Sequence, residues 1–178
     1  MDLPSMVMNL FLMTPIMKSF SPQDDINTHY LYPSALFADS EPYLVDTILG
    51  SCVAVCLFDP VLKVGGINHF MLPLWNGTGL ASPKYGNIAI DKLIEKLLSL
   101  GCKRENLSAK IFGGGEVVET QNNMFRIGER NIETAENILK EYKIKITGRS
   151  VGGKKGRKIR FNTHTGVVLM KYIEKQKN

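Results

Sequence analysis

The chain has 178 residues, of which 44% are apolar and 22% are charged, a composition typical of one folded globular domain. This composition excludes a disordered, collagen-like or coiled-coil protein, and a chain of this length can bury a core without disulfides or structural metals. Lys and Arg number 22 against 17 Asp and Glu, which gives a net charge of +5. So modest an excess serves solubility and does not by itself require a nucleic acid partner.

The cysteine content argues against a secreted scaffold. Three cysteines, at positions 52, 56 and 102, are an odd number and do not form a disulfide framework. A reducing compartment fits such a chain better, and we therefore predict a cytoplasmic protein.

The first 40 residues differ from the rest of the chain. An apolar stretch over residues 6–17 is interrupted by Asn9 and Pro15, so it is too short to span a bilayer, and it lacks the basic start of a signal peptide. The alternative of an amphipathic membrane or partner helix lacks a Lys/Arg face. We predict a poorly ordered extension over 1–40, one folded domain over 41–174, a short tail over 175–178, and no stable membrane insertion.

The middle of the chain predicts strands and one long loop. A strand is predicted over residues 43–49, an apolar strand or helix over 52–58, and another strand over 64–72. Residues 73–85 form a loop rich in Gly, Pro and Asn that carries the only tryptophan, Trp75. A loop of this length in a compact domain is usually functional or mobile.

The second half adds two amphipathic helices to further strands. Apolar residues at helical spacing predict helices that begin at Asn87 and near Ile127, the first ending at Gly101. Strands are predicted over residues 107–112, 144–149, 157–161 and 167–172. Because the strands cluster and only two long helices occur, the pattern favours an α+β fold in a single domain.

Cys52 is the first candidate for chemistry. It follows Gly50-Ser51, and a turn of small residues can present a thiol while its backbone N–H groups point at a developing oxyanion. If Cys52 begins a helix, the helix N-terminus also lowers the pKa of the thiol. The alternative, which composition alone favours, is a buried cysteine that packs as a small hydrophobic residue.

His69 is the best placed of the three histidines to serve as base toward that thiol, because a neighbouring strand could bring the two together. A hydrogen-bonded core histidine is the alternative. Zinc is a competing use of Cys52, Cys56 and His69, but two cysteines four residues apart inside an apolar run lack a turn, and no fourth ligand is apparent.

Two further motifs have alternative interpretations. Gly113-Gly114-Gly115 invites comparison with a phosphate-binding loop, yet it matches no phosphate-loop pattern, so a tight bend is favoured. The basic segment 154–160 could contact phosphates, as in an RNA-binding domain. Its few aromatic residues make a solvated loop or an acidic protein partner at least as good an interpretation.

Several segments taken together resemble one family. They are LGSCVAVCLFDP (49–60), KVGGINHFMLP (63–73), AKIFGGG (109–115), IGERN (127–131) and the spaced GG, GR, F and TG of 152–166. In combination, from about Asp46 to Tyr172, they closely resemble the CheD family, the chemoreceptor glutamine deamidases of bacterial and archaeal chemotaxis.

The resemblance implies a fold and a site. The fold is a four-layer α/β/β/α arrangement of mixed sheets flanked by helices. By motif match, Cys52 is the nucleophile and His69 the general base, and Thr47 is the family's threonine on the preceding strand. Asp46, beside it, is the alternative residue to orient the imidazole. No metal and no organic cofactor are implied.

The resemblance also implies partners. The substrates would be methyl-accepting chemotaxis receptors, and a CheC-type phosphatase would be a regulatory partner. The same Cys–His pair could instead support peptide cleavage, transamidation or methyl-ester hydrolysis. The alternative of a different class is a regulatory binding module that acts mainly through the CheC-type phosphatase.

Overall fold

The computed structural model describes residues 26–117 and 126–174. Residues 1–25 of the predicted extension and the predicted tail over 175–178 lie outside these ranges. Among the described residues there are nine strands, two α-helices and one short 3-10 helix at Arg104–Asn106. The strands are β1 (Asn27–Tyr30), β2 (Ala35–Ala38), β3 (Tyr43–Leu49), β4 (Val53–Asp59), β5 (Val64–His69), β6 (Ser108–Gly113), β7 (Lys145–Val151), β8 (Arg157–Asn162) and β9 (Val168–Tyr172). The helices are α1 (Gly86–Ser99) and α2 (Ile127–Glu141).

The strands form two mixed sheets. The smaller sheet has the order β1-β3-β8-β9, with β1 parallel to β3 and the other neighbours antiparallel. The larger has the order β2-β5-β4-β6-β7, in which only β6 and β7 run parallel. The predicted single-domain α+β fold is confirmed.

Both helices pack on the outer face of the five-stranded sheet. Their apolar faces meet β4, β5 and β6 in a core that includes Leu57, Ile90, Leu93, Ile111 and Leu139. Gly66 on β5 allows a close approach, since a Cβ there would collide with Leu93 of α1. Among residues 26–117 and 126–174 no helix covers the outer face of the four-stranded sheet, so three of the four expected layers are seen. No helix in this part of the chain is long and apolar enough to cross a bilayer.

The inner faces of the two sheets pack against each other in a second core. Val45, Leu49, Ile159 and Phe161 come from the smaller sheet, and Ala54, Cys56, Ile67 and Phe112 from the larger. Side chains alternate between the two faces of a strand, so the residues between these core positions point either to the helices or to solvent. The candidate catalytic residues lie at one end of this interface between the sheets.

The prediction of a poorly ordered extension as far as residue 40 is wrong for its last part. Residues 27–30 form β1, which pairs with β3, and residues 35–38 form β2, which pairs with β5. Leu31 between them is only 1% exposed. Each strand has four residues, and so short a strand has too few positions to show an alternating pattern. Backbone pairing with the two sheets orders this segment.

Candidate active site

Cys52 lies at the mouth of the interface between the sheets. The turn at Gly50-Ser51 leads from β3 into β4, and Cys52 directly precedes β4. Its side chain is half-buried, so the sulfur is within reach of a substrate. The run that begins at Val53 is paired with β5 and β6 as a strand. The alternative that Cys52 begins a helix is therefore wrong.

The triple glycine supports the loop that carries the cysteine. The backbone N–H of Gly114 donates to the Cys52 carbonyl at 2.8 Å, and the N–H of Gly115 donates to the Gly50 carbonyl at 2.8 Å. Gly113 has φ +106°, and a Cβ at this position would collide with the Cys52 carbonyl oxygen. Only glycine fits such an approach without strain. The glycines thus form the predicted tight bend, and they hold the Cys52 loop in place.

His69 is on the same face of the sheet as Cys52. β4 and β5 pair with Cys56 opposite Ile67, and the Val53–Phe70 bridge continues this register to the end of the ladder. Because side chains alternate along each strand, Cys52 and His69 are diagonal neighbours that both face the gap between the sheets. His69 is 1% exposed, so the imidazole lies behind the half-buried thiol.

Thr47 connects the histidine to the other sheet. Its hydroxyl donates to the main-chain carbonyl of Leu31 at 2.8 Å, and its Oγ1 is 2.8 Å from Nδ1 of His69. A carbonyl oxygen can only accept, and a hydroxyl has a single proton, so Oγ1 must accept from Nδ1–H. The imidazole is therefore protonated on Nδ1, and Nε2, which is buried and makes no hydrogen bond with the described residues, carries the free lone pair.

Burial shifts the pKa of both groups toward their neutral forms. It raises the pKa of the Cys52 thiol, although the cysteine's own backbone N–H acts in the opposite direction. It lowers the pKa of His69 to about 4. At neutral pH the pair therefore rests as a neutral thiol and a neutral imidazole. The neutral imidazole is the form that can accept a proton.

Asp46 points away from the imidazole. It lies on the outer face of β3, where Arg160 holds it by two hydrogen bonds of 2.8 and 2.7 Å. This pairing lowers the pKa of the Asp46 carboxyl. Of the two candidates to orient His69, Thr47 is the one in contact with it.

The basic segment is largely engaged within the domain. Arg157 is 2% exposed and donates to the Ser150 hydroxyl and to the Gly152 carbonyl. Arg160 binds Asp46, and Lys155 binds Glu174. An RNA-binding interpretation needs free cationic side chains. Arg157 and Arg160 are instead bound within the domain, where they hold β8 in place.

The described residues do not support the zinc alternative. Within residues 26–117 and 126–174 no group of three His, Cys, Asp or Glu side chains is placed to hold a metal ion, so the zinc alternative has no ligand set there. Asn68, beside His69, is fully buried and accepts the Val55 N–H at 2.9 Å, which is a structural hydrogen bond.

Two contributors to the site have no assignment from the sequence. One is the backbone carbonyl of Leu31, which no side-chain pattern can reveal. The other is Asn131, which is fully buried on α2 and donates to the backbone of Ser51 and Met71. It belongs to the IGERN segment, so a motif contained it but gave it no role.

The site combines a reachable cysteine, a buried histidine with a free Nε2, and a threonine in contact with that histidine. Cysteine hydrolases use sites of this kind for acyl transfer. The model of the CheD family, described as CheD chemotactic sensory transduction, matches residues 71–172. A "probable chemoreceptor glutamine deamidase CheD" of Sulfurimonas denitrificans is 49% identical, over 82% of this chain and 94% of its own length. One from Trichlorobacter lovleyi is 51% identical over 82% and 90%. The chain belongs to the CheD family.

Proposed function

We propose that this protein is a cysteine-dependent amidohydrolase that converts glutamine side chains of methyl-accepting chemotaxis receptors to glutamate. The observation that carries the proposal is the hydrogen-bonded chain from Leu31 through Thr47 to His69, which leaves Nε2 unprotonated on the face shared with Cys52. The names of the relatives support the same activity and the same substrate class.

In the first half of the reaction Cys52 attacks the carboxamide carbon. The thiol proton passes to Nε2 of His69 as the bond between sulfur and carbon forms. The backbone N–H of Cys52, next to the sulfur along the chain, is the donor that we assign to the oxyanion that develops. The tetrahedral intermediate then collapses: the bond between carbon and nitrogen breaks, the imidazolium gives its proton to the leaving nitrogen, and ammonia departs from a thioester.

In the second half water replaces ammonia. His69 takes a proton from water as its oxygen attacks the thioester carbon, and collapse returns that proton to the sulfur of Cys52. The sum is glutamine plus water giving glutamate plus ammonia. Thr47 stays hydrogen-bonded to Nδ1 and keeps the imidazole in the orientation that both halves require.

The loop over residues 73–85 is the proposed docking segment for the receptor. It begins four residues after His69, and the backbone N–H groups of Met71 and Leu72 fix its base by donating to Lys84. Leu74 is 59% and Leu80 is 84% exposed. Receptor signalling domains are helical coiled coils, and apolar side chains on such a loop can pack against a helix surface beside the projecting glutamine.

A CheC-type phosphatase is the second partner we propose, on the family resemblance, and the proposed receptor substrate places the protein in the cytoplasm. In the alternative function, that of a regulatory binding module, phosphatase binding is the main role. Cys52→Ala distinguishes the two, because it removes the nucleophile and leaves the surface for partner binding in place.

The test is mass spectrometry of a receptor cytoplasmic fragment after incubation with the wild type, Cys52→Ala or Cys56→Ala. Cys56 is the matched control, since it is a thiol on the strand that follows Cys52 and is only 2% exposed. We expect glutamate at individual glutamine sites with the wild type and with Cys56→Ala, and none with Cys52→Ala. Equal conversion by Cys52→Ala would refute the proposed mechanism. Absence of conversion by the folded wild type on cognate receptors would favour the binding module.

A further inference from the structure

Asn131 is joined to both strands that carry the candidate catalytic pair. Its side chain is fully buried on α2, and Nδ2 donates to the carbonyl of Ser51 at 3.0 Å and to the carbonyl of Met71 at 3.0 Å. Only the nitrogen of an amide can donate to a carbonyl, so these two acceptors fix the orientation of the side chain.

The two carbonyls lie just beyond the end of the ladder between β4 and β5. The last backbone pair is Val53 with Phe70, which exchange hydrogen bonds of 3.1 and 3.0 Å. No backbone pair between the two segments follows this one. Ser51 directly precedes Cys52, and Met71 follows His69 by two residues. The amide of Asn131 therefore joins the Ser51 and Met71 segments just beyond the point where backbone pairing ends.

The position of Asn131 is set by contacts that are independent of this ladder. The first turn of α2 is packed on the triple glycine: a Cβ at Gly128 would collide with the backbone of Gly114. Gly114 in turn donates to the carbonyl of Cys52. Helix, glycine bend and cysteine loop thus form one packed unit, and from it Asn131 reaches across to the histidine strand.

We infer that Asn131 is a positioning residue that keeps the Cys52 loop beside the strand of His69, so that the sulfur can come within proton-transfer reach of Nε2 as it reacts. The inference rests on the proposed function only in that it takes this pair to be the reacting one. Without the amide, the Ser51 and Met71 carbonyls lose their shared donor and the two segments are free to move apart. A misplacement of about 1 Å is enough to cost about a hundredfold in rate.

The rate at which iodoacetamide alkylates Cys52 depends on the position of the sulfur relative to Nε2 of His69, and its measurement needs no receptor. The sulfur must lose its proton to react. Where Nε2 is within reach it takes that proton, so the rate changes little between about pH 8 and about pH 5. Where it is not, the rate follows the thiolate concentration and falls about tenfold for each pH unit.

The experiment measures the pH profile of alkylation at Cys52 by peptide mass spectrometry in the full chain. The proteins are the wild type, Asn131→Ala, Asn131→Ser and His69→Ala. We expect a flat profile for the wild type and a steep one for His69→Ala. Asn131→Ala should fall at least about tenfold below the wild type near pH 6 and match it in strong alkali. Asn131→Ser keeps one donor and should lie between them.

Two controls separate positioning from general destabilisation. Cys56 and Cys102 are buried, and their continued protection from alkylation shows that the fold is intact. Leu139→Ala truncates a fully buried side chain two turns further along α2 and should leave the flat profile of Cys52 unchanged. A wild-type profile in folded Asn131→Ala and Asn131→Ser would overturn the inference. A steep profile in the wild type itself would overturn the assignment of Cys52 and His69 as the reacting pair, and with it the proposed mechanism.

Discussion

The hydroxyl of Thr47 donates to the main-chain carbonyl of Leu31 at 2.8 Å, which joins the candidate active site to a segment that the sequence predicts to be poorly ordered. Because that proton is committed to Leu31, Thr47 can only accept from Nδ1 of His69. The tautomer of His69 is thus determined by a backbone carbonyl of the segment that links β1 to β2. Removal of the hydroxyl would leave both a buried carbonyl and a buried ring N–H without a partner.

Thr47→Val should lower kcat for receptor deamidation by about tenfold to a hundredfold, because the imidazole loses the acceptor that fixes its tautomer. It should also cost about 1–3 kcal/mol of unfolding free energy, since two buried polar groups lose their partner. Thr47→Ser keeps the hydroxyl and should retain most of the activity. Steady-state kinetics and urea unfolding measure the two effects. Equal kcat values in Thr47→Val and the wild type would exclude this role.

Asp46→Asn tests the other residue that the sequence offers for orienting His69. Asp46 faces Arg160 on the outer face of β3, so its charge does not reach the imidazole through a hydrogen bond. We expect kcat to remain within about twofold of the wild type and the loss of stability to be about 1 kcal/mol or less, as for other partly exposed ion pairs. A drop in kcat as large as that of Thr47→Val would show that the carboxylate acts on His69.

The pH profile of kcat/KM should have an unusually low acid limb. Burial lowers the pKa of His69 to about 4, and the base must be neutral to accept the thiol proton. The hydroxyl of Thr47 is in contact with the imidazole, while Asp46 and Arg160 lie on the opposite face of β3 and are paired with each other. Activity should therefore persist to well below the ordinary histidine pKa of about 6.5. An acid limb near pH 6.5 would contradict the buried, neutral imidazole.

The same group makes folding stability depend on pH. Between about pH 6.5 and about pH 4 the unfolded chain binds a proton at His69 that the folded protein does not, so this contribution to stability is present above that range and is lost as the pH falls through it. The slope is at most about 1.4 kcal/mol per pH unit for one group. Urea unfolding at several pH values should show a steeper loss for the wild type than for His69→Gln. Parallel curves for the two proteins would argue against the lowered pKa.

Gly113→Ala should be far more harmful than an alanine at another glycine of positive φ. Gly77 has φ +88° with open space around its Cα, so Gly77→Ala tests the backbone strain alone, about 1–2 kcal/mol. At Gly113 the added methyl group also meets the carbonyl of Cys52. We expect Gly113→Ala to lose more unfolding free energy than Gly77→Ala and to displace Cys52, the proposed nucleophile. Equal losses in the two variants would show that the contact with Cys52 is unimportant.

The sequence predicts most of the fold because most elements are long enough to show a period. Both helices and six of the nine described strands fall within two residues of the predicted bounds, and β5 ends three residues before its predicted end at residue 72. The strands it misses, β1 and β2, have four residues each and are stabilised by pairing with distant strands. Periodicity alone also leaves 52–58 ambiguous between strand and helix, since every residue in a run buried on both faces is apolar.

The candidate site, like the fold, is only partly predictable from the sequence. Cys52, His69 and Thr47 carry distinctive side chains, so motif resemblance predicts them as site residues, and the structure brings Thr47 into contact with His69. The Leu31 carbonyl and the shared donor of Asn131 depend on which backbone groups the fold brings together. A buried asparagine on an amphipathic helix was the available signal, because such a side chain must satisfy its polar atoms within the protein.

The central claim is that receptor glutamine passes through a thioester on Cys52, and trapping with hydroxylamine tests it most directly. A receptor fragment is incubated with the wild type or Cys52→Ala at increasing hydroxylamine concentration, and each glutamine site is analysed by mass spectrometry. We predict that glutamyl hydroxamate replaces glutamate at the same sites with the wild type, while total glutamine consumption is unchanged, and that Cys52→Ala gives neither product. Glutamate formation without hydroxamate at any hydroxylamine concentration, or conversion by Cys52→Ala, would contradict the covalent mechanism.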